Sequence, residues 1–353
     1  MAFIKVNNVA FRGISGCAPK NVEENKDMPF YANAEEAAQV IEATGIARRH
    51  VTTPDTTAVD LCCRAAETLI EELGWEKDSI DLLAFATQCP DYLNQPNSFL
   101  VHEKMGLPET TMCVDYYHGC PAWVVSLSSV VMMMQSGMIK RAILLDGDTV
   151  SKIQDKMNRE ERPLFGDAGT ATALEYDETA TPICFNIGTM SEGGRALIIP
   201  NGGHRNPYTL ETLKIELDKR AGVFSQDQET NKMDSMDVFS FAITKVPKAL
   251  KKLCSEYEIN IDGISNLYLH QANKLIIANI AKRMKVDMCK VPLSLGEYGN
   301  TTSASIPLTI VANNEGKSGV SEKILACGFG TGLAWGAVYF ETKDIVCPTI
   351  DLI

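Results

Sequence analysis

The strongest constraint on the fold is an order of features that occurs twice. Gly119-Cys120-Pro121 opens an apolar helix, Gly137 closes it, residues 141–146 read as a strand, and residues 166–175 turn into another. Further on, Gly299-Asn300-Thr301 opens a helix, Gly319 falls near its end, residues 323–327 read as a strand, and residues 328–340 repeat the turn. A chain that repeats one supersecondary unit is expected to fold as two similar halves, each covering apolar surface of the other. Packed about a pseudo-two-fold axis, such halves bring Cys120 and Asn300 together.

Strand-like runs at 82–87 and 266–269 add to those of the repeat. Helical patterns at 57–73, 122–136, 239–257 and 272–284 separate them, with apolar residues at spacings of three and four. This is α/β patterning. At 353 residues the chain has room for two domains or one large composite domain. The polar, glycine-rich stretch 177–206 is the expected seam. It divides a half over residues 1–180, carrying Cys120, from a half over residues 181–353, carrying His270 and Asn300. The first six residues alternate like an opening strand, and 227–235 reads as a surface loop.

A formal charge of −12 opposes nonspecific attraction to nucleic acid or an anionic membrane, which leaves small-molecule chemistry as the expected business of the chain. The most apolar stretch, residues 122–134, is interrupted by Ser126, Ser128 and Ser129 and falls short of the roughly 20 residues that span a bilayer. It reads as a buried helix, and no export signal is expected. The 11 cysteines lack a C-x-x-C pair and several sit in apolar runs, a pattern of reduced thiols in the cytoplasm.

Most of those cysteines read as small buried hydrophobes. Cys120 differs, because it directly precedes Pro121, a residue favoured in the first turn of a helix. Unpaired N–H groups and the macrodipole at that helix start are expected to lower its thiol pKa from about 8.5 and prime a nucleophile. Gly119 leaves the approach open.

His270 follows a strand and precedes an amphipathic helix, which places it at a strand's C-terminal edge, where α/β sheets bind ligands. Asn300 lies in Gly-Asn-Thr-Thr-Ser, which by itself reads as a turn or cap. Its place in the repeat, opposite Cys120, lets a neutral amide meet a developing negative oxygen. Gly328-Phe329-Gly330-Thr331-Gly332 is a loop whose backbone can approach a substrate closely; it leads into a strand, so it is no dinucleotide fingerprint.

Gly119-Cys120, His270-Gln271-Ala272-Asn273, Gly299-Asn300-Thr301-Thr302-Ser303-Ala304-Ser305 and Phe329-Gly330-Thr331-Gly332 together resemble the motifs of β-ketoacyl-acyl-carrier-protein synthase III. Thr44-Gly45-Ile46 with Arg49-His50, and Phe165-Gly166-Asp167-Ala168-Gly169, are similar to further segments of that family. The resemblance covers nearly the whole chain. It implies a thiolase fold: two similar βαβαβαββ halves packed in five αβαβα layers, paired as a homodimer. It implies a Cys-His-Asn active site of Cys120, His270 and Asn300, with oxyanion donors in the backbone N–H groups of Cys120 and Thr331. Arg159, Phe165, Phe329 and Gly330 are the implied substrate contacts. The implied reaction moves an acyl group from acyl-CoA to Cys120 and condenses it, with loss of carbon dioxide, with malonyl-ACP. The setting would be fatty-acid biosynthesis or a related lipid or secondary-metabolite route. Acyl-CoA and acyl carrier protein are then partners, and no cofactor is required.

Departures from the family bear on the substrate. Gln39 stands where fatty-acid starter enzymes usually carry an adenine-stacking tryptophan, Leu275 replaces an arginine, Ser240 replaces a docking lysine, and Thr331 replaces a glycine. Arg159 matches a family arginine near the nucleotide. Gln95 replaces a bulky apolar residue, and loops 91–98 and 207–227 are expected to shape the pocket. An acidic carrier needs a local basic patch. Lys245, Lys248 and Lys252 on one helical stripe, with Lys274, Lys282, Arg283 and Lys285 after His270, are the candidates. Two alternatives remain open at this point: acyl transfer to an oxygen or nitrogen acceptor, and a non-catalytic partner subunit.

Overall fold

The computed structural model describes residues 2–222 and 232–353. Its larger sheet runs in the order Lys317–Val320, Ile345–Cys347, Val9–Ala18, Ala168–Tyr176, Arg141–Asp148, Leu82–Thr87, Met112–Tyr117, with Asp351–Leu352 also paired to Val9–Ala18. The smaller runs Ala2–Val6, Ile183–Thr189, Ala334–Glu341, Lys323–Gly330, Asn266–Leu269. Four strands correspond between them. Val9–Ala18, Ala168–Tyr176, Arg141–Asp148 and Leu82–Thr87 pair antiparallel, antiparallel, parallel. Ile183–Thr189, Ala334–Glu341, Lys323–Gly330 and Asn266–Leu269 do the same in the same order. The repeat read in the sequence is a repeat of sheet topology.

Between the sheets lie the helices Ala122–Met134 and Ser305–Asn314, each packed against strands of both sheets. A helix covered on both sides must be apolar around most of its circumference, which explains why neither shows a polar face. The serines inside the first cost little, because their hydroxyls bond back into the helix: Ser126 to Ala122 O at 2.7 Å and Ser128 to Val125 O at 2.7 Å. Ala58–Leu73 and Asn97–Met105 cover the outer face of the larger sheet. Ser235–Glu256 and Lys274–Met284 cover the smaller. Five layers result, as the resemblance implied.

The structure departs from the sequence reading in places. Residues 177–206 are more than a seam, since Ile183–Thr189 is a strand whose first four residues are buried. Strands also cross the boundary at 180: Ala2–Val6 pairs with Ile183–Thr189, and Lys317–Val320, Ile345–Cys347 and Asp351–Leu352 join the larger sheet. Each sheet is completed by the other half's end. In the second copy, the helix begins at Ser305 after a 3-10 turn at Thr302–Ala304, so Asn300 stands further from its helix than Cys120 does from Ala122. Stretch 207–227, read as a loop, contains the helix Leu210–Ala221; residues 223–227 of it lie outside the described residues, as do 227–231 of the loop read at 227–235. Lys232–Met233 pairs with Leu197–Ile198, and Ser235 begins a helix.

Candidate active site

Cys120 follows the edge strand Met112–Tyr117 and precedes Pro121, the cap of the central helix. Ala122 N–H donates to Gly119 O at 2.7 Å, which tightens the turn that presents the sulfur. The residue is 5% exposed. Burial dominates its acidity and pushes the thiol up to about 11, against hydrogen bonds from the Thr331 backbone and hydroxyl and from its own N–H. The expectation of a thiolate kept by the helix dipole is therefore corrected: desolvation outweighs the helix start, and Cys120 is a neutral thiol.

Strand Lys323–Gly330 runs past the sulfur. At Gly330, whose φ is 152°, an added Cβ would stand 2.7 Å from Cys120 Sγ, so only glycine leaves the nucleophile its place. Phe329, the preceding residue, meets the His270 ring edge-on with centroids 5.4 Å apart. His270 itself caps strand Asn266–Leu269, with its N–H on Cys327 O at 3.0 Å and Nδ1 2.7 Å from Ser305 Oγ. It is 2% exposed, and burial pushes its pKa down to about 3 against a backbone hydrogen bond with Thr302. The ring is neutral at physiological pH, fit to act as a hydrogen-bond partner rather than as a fixed cation.

Asn300 is held by the first half of the chain. Its N–H donates to Leu164 O at 2.8 Å, and its carbonyl accepts from Gly166 N–H at 3.1 Å, which forms a bridge beside Phe165. Thr302 N–H donates to Asn300 Oδ1 at 3.0 Å, so the Nδ2 hydrogens are the donors this side chain can present. The glycines flanking the contact are needed for close approach: a Cβ on Gly166 would overlap the Tyr298 carbonyl, and one on Gly299 would press on Leu164 O.

Asp148, which the sequence reading did not single out, ties these pieces together. The residue is fully buried and accepts from Thr87 Oγ1 at 2.8 Å and Gln88 N–H at 2.9 Å on one side. On the other it accepts from the Thr302 hydroxyl, from Ser303 N–H at 3.2 Å and from Ser303 Oγ at 2.6 Å. Thr302 has φ 49°, a left-handed turn that these bonds hold in place. A carboxylate on the first sheet thus fixes the turn that orients Asn300 and meets His270.

A cavity of about 280 Å³ opens on Cys120. Val150, Ile153, Phe165 and Leu197 to Ile199 line it with apolar surface; Gln88, Tyr117, Gln154, Glu161 and Thr331 add polar groups. Phe165 is pinned from behind, its carbonyl accepting from the buried Arg49 guanidinium at 3.2 Å. Of the expected contacts, Phe165 and Thr331 line the cavity, while Phe329 and Gly330 meet His270 and Cys120 instead. Arg159 lies at the surface, ion-paired with Glu36 of helix Ala34–Thr44, the helix that carries the exposed Gln39. Lys248, Lys251, Lys252 and Arg283 share a surface groove between the two outer helices, with Lys274 and Lys282 exposed on the same helix as Arg283.

Two family models match, 3-oxoacyl-[acyl-carrier-protein (ACP)] synthase III over residues 114–193 and the C-terminal part of the same family over residues 254–342. A β-ketoacyl-[acyl-carrier-protein] synthase III of Fusobacterium nucleatum is 28% identical, with 95% of this chain and 99% of that protein covered. One from Streptococcus agalactiae is 29% identical, with 96% and 99% covered. The solved 3-oxoacyl-(acyl-carrier protein) synthase of Burkholderia xenovorans superposes with a TM-score of 0.90 at 30% identity, covering 99% of each chain. The fold is the thiolase fold that the resemblance implied, and the chain belongs to the 3-oxoacyl-[acyl-carrier-protein] synthase III family of acyl-transferring condensing enzymes.

Proposed function

We propose that this chain transfers an acyl group from an acyl-CoA to Cys120 and condenses it with malonyl-ACP, with Cys120, His270 and Asn300 as the catalytic residues. The observation that carries the reading is the cavity lined in part by Cys120, with Thr331 hydrogen-bonded to the Cys120 sulfur. Because thiol and imidazole are both neutral, the nucleophile forms as the thiol proton leaves during attack, with His270 as its acceptor. Sulfur attacks the thioester carbonyl, the backbone N–H groups of Cys120 and Thr331 hold the oxyanion, and CoA departs as its thiol with the proton.

In the second half-reaction the malonyl thioester loses its carboxylate as carbon dioxide, and the electron pair left behind forms an enolate. The Asn300 Nδ2 hydrogens and the neutral His270 ring donate to its oxygen. The enolate carbon attacks the acyl-enzyme, the new C–C bond forms as the C–S bond breaks, and the Cys120 thiolate released takes a proton from solvent, the original one having left with CoA. A β-ketoacyl-ACP is the product, in fatty-acid biosynthesis or a related lipid or secondary-metabolite route. No cofactor enters this scheme.

The basic groove of Lys248 and Arg283, with Lys274 and Lys282, supports docking of an acidic carrier on a chain whose overall charge opposes it. Strand Met112–Tyr117 is the edge of its sheet, and exposed Met112, Tyr117, Tyr92, Leu93 and Phe99 support a homodimer across it. The 11 free thiols suit the cytoplasm. Intact-protein mass spectrometry with acyl-CoAs tests the reading: an adduct of acyl mass on Cys120 is expected, and an adduct still formed by Cys120→Ala would defeat it.

A further inference from the structure

A sulfur that carries an acyl group between two half-reactions bears negative charge twice, once as it attacks the thioester and again as it leaves when the new C–C bond forms. In a buried site that charge needs donors aimed at the sulfur, besides those aimed at the oxyanion. Three donors bond the Cys120 sulfur: its own N–H, the Thr331 N–H and the Thr331 hydroxyl. The acyl-enzyme reading gives both N–H groups to the oxyanion, which leaves the hydroxyl without a role.

Neighbouring glycines put the Thr331 side chain there. Gly330 before it and Gly332 after it have φ of 152° and 138°, a backbone that glycine adopts far more readily than other residues. On the other side of the turn, a Cβ added to Gly119 would stand 2.9 Å from both Thr331 Cβ and Thr331 Oγ1, and 2.6 Å from Gln88 Oε1. The volume that any side chain at 119 would take is therefore filled by Thr331 and Gln88, and glycine directly before Cys120 is what lets the threonine sit beside the sulfur. Among the described residues no carbonyl or carboxylate accepts from Thr331 Oγ1, so its hydrogen is available to Sγ. β-Branching restricts its rotamers and holds that aim. Thr331 lines the cavity as well, so the hydroxyl stands where sulfur and substrate meet.

We propose that the Thr331 hydroxyl is a further catalytic group, which donates a hydrogen bond to the Cys120 sulfur whenever that sulfur carries negative charge. This rests on the acyl-enzyme reading above. In acylation the thiol proton passes to His270 and on to the CoA sulfur; the Cys120 S–C bond forms and the CoA S–C bond breaks, with the Thr331 O–H on the attacking sulfur. In condensation the enolate carbon bonds to the acyl carbonyl carbon, the electron pair of the breaking C–S bond goes to Cys120, and the same O–H donates to it. No proton crosses this hydrogen bond, since the thiolate is protonated afterwards from solvent. The Thr331 and Cys120 N–H groups meanwhile serve the carbonyl oxygen. A hydrogen bond to an ion is about twice as strong as one between neutral groups, so the hydroxyl favours the charged sulfur over the thiol and the thioester.

The test compares Thr331→Ala, which removes the hydroxyl and opens space, with Thr331→Ser, which keeps the hydroxyl. At about pH 8 the rate of Cys120 alkylation by iodoacetamide, read by peptide mass spectrometry, follows the thiolate fraction. Thr331→Ala is expected to slow it about tenfold although the site is more open, and Thr331→Ser to stay within about threefold of the wild-type rate. On enzyme already acylated at Cys120, Thr331→Ala should release more carbon dioxide per β-ketoacyl product formed, because enolate formation is spared while departure of the sulfur is hindered. Thr331→Ser should restore that ratio. Loss of packing alone would speed alkylation rather than slow it. Alkylation of Thr331→Ala at the wild-type rate or faster, or Thr331→Ser no faster than Thr331→Ala, overturns the inference and leaves the acyl-enzyme reading standing. Absence of any acyl adduct on wild-type Cys120 overturns both.

Discussion

At Gly330 a single missing methyl group decides whether the nucleophile has a position at all, since a Cβ there would stand 2.7 Å from the sulfur. Gly330→Ala is expected to displace the thiol by a fraction of an ångström to an ångström and to lower kcat/KM by about 100-fold, the scale of a small misplacement at a reacting atom. Steady-state kinetics on the folded variant check this; an unchanged rate would show that the sulfur moves freely. The acidity of Cys120 offers a second test. Burial holds the thiol up to about 11, so site-resolved alkylation by iodoacetamide should keep rising with pH well past the value of about 8.5 for a free cysteine. A plateau near neutral pH would mean that a thiolate is already present.

Among elements, the turn Thr302–Ala304 is the one whose shape the chemistry needs, and Asp148 holds it from the other sheet. Asp148→Ala removes the acceptor of several buried donors and is expected to cost about 3 kcal/mol of stability, near the upper range for hydrogen bonds to a charged group. Asp148→Asn keeps the size and should retain the fold while lowering condensation more than acylation; equal loss of both would assign Asp148 to stability alone. Cys120 and Asn300 could be singled out in the sequence because each opens a unit of a repeated order, and His270 because it ends a strand ahead of an amphipathic helix. Asp148 was not, because an aspartate at the end of an apolar strand carries no pattern, and its partner Thr302 lies 154 positions away. Gln154 and Glu161 were hidden for the same reason, in a polar run that looks solvated until the fold buries it. Strand Val9–Ala18 escaped notice because it lies buried at nearly every position and contains Gly13 and Gly16, so it lacks alternation. Gly13 is required there by Leu69 and Val346, which crowd the site of its absent Cβ.

For the whole molecule, two site groups with opposed shifts contribute to the pH dependence of stability. His270 is buried neutral with a pKa near 3, while an unfolded histidine titrates at about 6.5. The unfolded chain then binds more protons between those values, so the contribution of His270 is present above about pH 6.5 and is lost as pH falls toward 3. Cys120 works the other way, contributing below about pH 8.5 to 9 and losing its contribution as pH rises toward 11. Urea denaturation at pH 7, 5 and 4 should show falling stability with a shallower slope in His270→Gln; identical slopes would remove His270 as a source. Charge acts at the same scale on partner choice. Lys248→Glu with Arg283→Glu should raise KM for malonyl-ACP about tenfold and leave acylation by acyl-CoA alone, and the difference should shrink in high salt.

The division of labour between the sulfur and the amide–imidazole pair is the centre of the account, and release of carbon dioxide from malonyl-ACP by enzyme already acylated on Cys120 measures it directly. The account predicts that His270→Ala and Asn300→Ala keep the acyl mass on Cys120 while carbon dioxide release falls by about 100-fold or more. Release at the wild-type rate in both variants, from enzyme shown to carry the acyl group, would contradict it.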